Sequence, residues 1–140
     1  MKQSLLFALF VPIICCCCCS CKPVVPEWND FVGVWATEDG GKLFINADST
    51  CKAVDLHIPP FEWMTGYYIN FDGKWEFRKD YYGGQKLYHL NFRPSSKPYE
   101  LDLFIEGENG MFMNRPPWVL FIWLGDPDEM NKFRLHKVRD

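Results

Sequence analysis

From residue 43 onward apolar side chains recur at every second position, and turn-forming residues interrupt the pattern about every 8–15 residues. Leu43, Ile45 and Ala47 alternate with Phe44 and Asn46, and Val54, Leu56 and Ile58 with Asp55 and His57. Trp75 and Phe77 alternate with Glu76 and Arg78; Tyr88, Leu90 and Phe92 with His89 and Asn91. Leu101, Leu103 and Ile105 alternate with Asp102, Phe104 and Glu106, and Phe133 and Leu135 with Arg134 and His136. A period of two sets one face of a strand on a core and the other in water. The interruptions include Asp39-Gly40-Gly41, Asp48-Ser49, Pro59-Pro60, Asp72-Gly73, Gly83-Gly84 and Gly125-Asp126-Pro127. Asp72-Gly73 is expected to form a two-residue hairpin turn. Residues 118–124 are apolar throughout, which predicts a strand covered on both faces or laid against something external. No long helical period is present, so the expected fold is all-β: a small antiparallel barrel of about eight strands or, alternatively, a two-layer sandwich.

The start of the chain follows a different rule. Lys2 precedes an apolar run over residues 5–14, long enough for a signal peptide and too short to span a bilayer as a helix. Cys15 to Cys19, Ser20 and Cys21 follow at once. This arrangement resembles the signal peptide of a bacterial lipoprotein, in which a small residue precedes the cysteine that receives the lipid. Ser20 before Cys21 fits best, with Cys16 to Cys19 as alternative acceptors. The resemblance implies a signal peptide over residues 1–20, a lipidated cysteine and tether over 21–29, and one β domain over 30–140, held at a membrane of the bacterial cell envelope. Zinc sites need residues between their cysteines to wrap the ion, so the adjacent cysteines do not read as a metal site.

Beyond Cys21 only Cys51 remains, so the domain has no internal disulfide. Cys51 is expected to be a small buried apolar residue. Stability then rests on the core, and 17% aromatic content supplies large side chains to fill it. A net charge of -3 without a basic run argues against nucleic acid as a partner.

Near the start of the domain stands Phe31-Val32-Gly33-Val34-Trp35. This F-x-G-x-W resembles the first-strand motif of lipocalin-like (calycin) up-and-down barrels. There the Trp closes one end and a basic residue of the last strand packs across its ring. The resemblance gives that second role to Arg134 and makes Phe31, Gly33, Trp35 and Arg134 structural. The stretch over residues 123–128 is also similar to uncharacterised lipocalin-like lipoproteins.

No nucleophile elbow, phosphate loop or H-E-x-x-H helix is present, so neither catalytic residues nor a cofactor is expected. His57, His89 and His136 lack metal-ligand spacing and are expected at the surface or rim. The acids Asp126, Asp128 and Glu129 read as a solvated hairpin loop. The functional expectation falls on aromatics between strands: Phe61, Trp63, Tyr67 and Tyr68, then Tyr81 and Tyr82, then Phe112 and Trp118. Loop aromatics line pocket mouths or form contact patches. The expected function is a monomeric, lipid-anchored binding protein for a small apolar ligand. The alternative is a module that binds another envelope protein as an inhibitor, immunity factor or accessory.

Overall fold

The computed structural model describes residues 24–60, 65–108 and 114–139. Eight strands form a closed barrel in which each pairs antiparallel with its sequence neighbours and the last returns to the first. They are β1 (Gly33–Ala36), β2 (Lys42–Ile45), β3 (Thr50–Ile58), β4 (Tyr67–Tyr82), β5 (Gln85–Pro94), β6 (Leu101–Gly107), β7 (Trp118–Trp123) and β8 (Lys132–Lys137). A short helix, α1 (Trp28–Phe31), precedes them. The sandwich alternative is thereby excluded, and the up-and-down barrel stands.

The inward rows follow the alternation. Trp35, Leu43, Leu90, Phe92, Leu103, Leu120 and Leu135 meet inside and keep essentially no exposed surface. A side chain beside a water-sized void would retain some, so no such void adjoins these seven, whereas Leu101, Ile105 and Ile122 of the same inward parity are only partly buried. Cys51 lies in the same core, as expected. Burial pushes its thiol up to about 12, with a smaller push from the charge of Asp72.

The structure moves several boundaries. The pairing of β3 with β4 shifts between Ala53 and Leu56, where Asp55 adopts φ 51°. This bulge reverses the phase of the first half of β3, so Cys51 and Ala53 point inward and Val54 does not belong to the inward row. Asp72-Gly73 is no turn: both residues lie in the middle of β4. Gly73 is there because a Cβ would stand 2.3 Å from the carbonyl oxygen of Arg93 on β5, a backbone approach only glycine permits. The turn signal that does operate is Gly83-Gly84, with φ 55° and 82°, which joins β4 to β5.

The outward side of residues 118–124 is covered in part by their own sheet. Leu120 points inward, Phe121 is covered on the outside by neighbours of the same sheet, and Val119 lies buried beside Pro116 and Pro117. Phe104 and Trp123 contact the Phe121 ring at 5.7 and 5.3 Å, and the Lys132 ammonium sits 4.2 Å from its centroid. Glu106 pairs with that ammonium and with Arg134, closing a charged lid over the aromatic row.

α1 plugs one end of the barrel. Glu27 and Asp30 form a capping box around its first turn. Phe31 packs against Trp35 and Phe77, and Trp28 stacks on Trp75 at 5.0 Å. The packed domain therefore includes residues the sequence assigned to the tether. Every described element, with the whole core, falls between Trp28 and Lys137.

Candidate functional site

The F-x-G-x-W segment forms the lock of the plugged end. Trp35 is fully buried, and its indole Nε1 donates to the Phe31 carbonyl at 2.8 Å. The basic partner is not Arg134. On β8 Leu135 and Lys137 share the inward parity, and Lys137 pairs with Trp35 across the β1–β8 seam. Its ammonium lies 6.0 Å from the Trp35 ring and donates to the Asp30 carbonyl at 2.7 Å. Gly33, at φ 139°, makes room, because a Cβ there would meet Lys137 Cε at 2.9 Å. Arg134 faces outward, half-exposed, beside Glu106.

Two of the three histidines meet the surface expectation and one does not. His136 is exposed and His57 half-buried. His89 is buried on the outer face of β5, as is Asn91, which has no exposed surface at all. The cover is a lattice of long charged side chains from β4 to β6. The Asn91 amide donates to Glu100 at 2.8 Å and to Asp102 at 2.9 Å, and Arg93 bridges Glu100 and Glu76. His89 Nε2 stands 3.6 Å from carboxylate oxygens of Asp80 and Asp102. Alternation alone gave these residues to solvent, because it cannot see what neighbouring strands lay over them.

The expected contact aromatics do not converge. Phe61, Trp63 and Phe112, like the acceptor Cys21, lie outside the described residues. Trp118 is buried, its Nε1 donating to Asp30 at 3.0 Å, and only an edge of it borders a groove outside the plugged end. Tyr67 and Tyr68 begin β4 at the end opposite α1 and are exposed. Tyr81 and Tyr82 end β4 beyond the plugged end, also exposed. All four are strand residues rather than loop residues.

At the end opposite α1, Tyr68 stacks on His57 at 4.7 Å, and His57 Nδ1 stands 3.3 Å from Asp39. Thr37 hydrogen-bonds the same carboxylate, and this bond is the chief reason its pKa is lowered. A hollow of about 400 Å³ lies there, bounded by the β1–β2 loop, His57, Pro59, Phe133 and Arg134. Because Thr37 is bonded to Asp39 and not to His57, the trio does not have the order of a nucleophilic triad. A larger groove of about 740 Å³ runs outside the plugged end, between Asp30, Pro116, Pro117, Trp118 and His136. Among the described residues no group of three His, Cys, Asp or Glu side chains could hold a metal ion.

These features define a class: a closed, eight-stranded antiparallel barrel with a short helix packed into one end and exposed tyrosines at the other. No family model, curated protein or solved structure matches the chain.

Proposed function

We propose that this chain is an exported lipoprotein, anchored through Cys21, whose lipocalin-like barrel binds another envelope protein through the rim opposite α1. The observation that carries this is the contrast between a filled centre and an exposed rim. A calyx for a small apolar ligand needs inward space, and the seven central side chains from Trp35 to Leu135 leave none beside them. The rim instead presents Tyr67, Tyr68 and His57 beside the 400 Å³ hollow. Exposed tyrosines next to a recess are the usual anchors of protein contacts. The chain enters the barrel through α1 at the plugged end, so a lipid at Cys21 leaves the rim facing the compartment. The module acts as a monomer, without cofactor or catalysis.

Two measurements test this. Palmitate labelling of cells should mark the wild-type protein and not Cys21→Ala; equal labelling would move the acceptor to Cys16–Cys19. A photo-crosslinking residue at Tyr68 should yield one discrete adduct in intact cells, whereas one at Lys52 on the barrel wall should not. The absence of any adduct at Tyr67 or Tyr68 would sink the rim as a protein-binding site.

A small apolar ligand stays the second reading on one observation. The outer groove of about 740 Å³ has the size of a small-molecule site and an aromatic and proline wall. Native mass spectrometry decides it: an extra mass that leaves on denaturation would favour the groove.

A further inference from the structure

β4 and β5 are longer than the barrel needs. The pairing of β4 with β3 ends at Lys74, but its pairing with β5 continues to Tyr82 and Gln85. β5 in turn pairs with β6 only from His89 onward. Residues 79–88 therefore leave the barrel as a two-stranded arm closed by Gly83-Gly84. A bare two-stranded ribbon is marginal in water, and this one exposes aromatic rings beside the charges of Lys79, Asp80 and Lys86. Tyr82 is 83% exposed and Tyr81 67%, with Leu87 at 41%. One face continues the inward row of the core past the last covering wall: Phe77 stacks on Tyr88 at 5.7 Å, and Lys79 lies 5.8 and 6.0 Å from Tyr81 and Tyr88. Lys86 is opposite Tyr81 in the register.

The arm projects from the same end as the chain's entry. Its root, Phe77, packs on Phe31 of α1 at 5.5 Å. From Phe77 to Tyr82 is five residues of strand, about 17 Å. From Trp28 back to Cys21 is seven residues, a reach of at most about 25 Å. A lipid on Cys21 and the tip of the arm thus attain the same plane. Tyrosine and lysine side by side, apolar body inward and polar tip outward, are the pair that settles at a membrane–water interface.

We propose that the β4–β5 arm is a second membrane contact, its Tyr81–Tyr82 tip lying in the headgroup region of the bilayer that holds the lipid. The proposal rests on the lipid-anchor reading. Two attachments hold the barrel upright and keep the rim opposite α1 away from the membrane. The Asp80 carboxylate leans toward His89 Nε2 at 3.6 Å, and Lys79 and Lys86 on the same arm offset the charge it leaves exposed.

The test separates the arm from the anchor. Residues 22–140 contain every described element and no acceptor cysteine, so vesicle binding by this domain reports the arm alone. In flotation with phosphatidylcholine–phosphatidylglycerol vesicles, Tyr81→Ser/Tyr82→Ser should lower the bound fraction at least fivefold with an unchanged circular dichroism spectrum. Tyr67→Ser/Tyr68→Ser should leave it unchanged. In the full lipidated chain, an environment-sensitive dye on Tyr82→Cys should shift blue in vesicles, and the same dye on Tyr68→Cys should not. A wild-type domain that stays unbound at millimolar lipid overturns the proposal, as do equal losses for both tyrosine pairs. A dye at position 82 that stays in water on a demonstrably lipidated chain overturns it as well, and leaves a protein partner for the arm. Failure of the anchor reading looks different: the full chain then carries no lipid mass.

Discussion

Lys137 crosses the seam between the last strand and the first, and it is held there by a carbonyl and an indole. Trp35→Ala empties a fully buried site and should cost about 3–5 kcal/mol in urea denaturation. Lys137→Met should cost only about 1 kcal/mol, the scale of one hydrogen bond and a weak cation–π contact. Arg134→Ala should stay within about 0.5 kcal/mol, since its pair with Glu106 is half-exposed. Gly33→Ala should destabilise by about 1–3 kcal/mol, and Lys137→Ala beside it should recover the steric part but not the backbone strain. The motif made Trp35 legible in the sequence, yet the partner was misassigned to Arg134. The sign was available: Arg134 alternates with Phe133 and Leu135, so parity alone sends it outward and Lys137 inward. Cys51 gives a second residue-scale prediction. Its raised pKa favours the neutral thiol in the fold, so this stabilising term is whole below the unfolded value near 9 and fades as pH climbs toward about 12. Thiol reagents at neutral pH should modify Cys51 only after unfolding.

At the scale of elements, strands with one watery face were legible and the departures from regular pairing were not. The bulge in β3 inserts one residue, and no turn residue announces it. Asp55 holds a left-handed conformation there, with its amide bonded to the Asn70 side chain at 2.8 Å. Asp55→Gly should therefore change stability little, whereas Asp55→Val should cost about 1–3 kcal/mol by thermal unfolding. Gly73 misled because glycine signals either a turn or a close approach of two backbones, and only the fold says which. Gly73→Ala should be strongly destabilising, since the obstacle is backbone carbonyl and not a movable side chain. The arm escaped notice for the opposite reason. Alternation continues smoothly through Phe77, Lys79 and Tyr81, and nothing in the sequence marks where the neighbouring strands stop. In hydrogen exchange, amides of residues 80–87 should open well before those of Gly73 and Lys74, which are paired on both sides.

For the molecule as a whole, eight strands without a disulfide share one core, and unfolding should be a single cooperative transition. The Asp39 carboxyl is lowered by Thr37 and the Asp48 carboxyl by Thr50, so each favours the fold when ionised. That contribution is present above the ordinary carboxylate value and is lost as pH falls from there through the lowered values of the folded state. Both groups are exposed, and the acid limb of the stability profile should be shallow. Fold class was legible because it depends on period and spacing. The candidate surfaces were not, because they depend on which ends of the barrel the strands carry their tyrosines to.

The ring of strands is not uniformly sewn. β4 and β5 share ten paired positions from Gly73–Pro94 to Tyr82–Gln85, whereas β1 and β8 meet only at Trp35–Lys137 and Ala36–His136, with one further bond from the Val138 amide to the Val34 carbonyl. The chain enters the barrel one helix before that seam. Any tension drawn through the N-terminus is thus delivered to the shortest zip in the barrel. Under load the molecule should yield there first, peeling β1 away from β8 while the β4–β5 side stays intact, and the Trp35–Lys137 lock sets the force at which it gives.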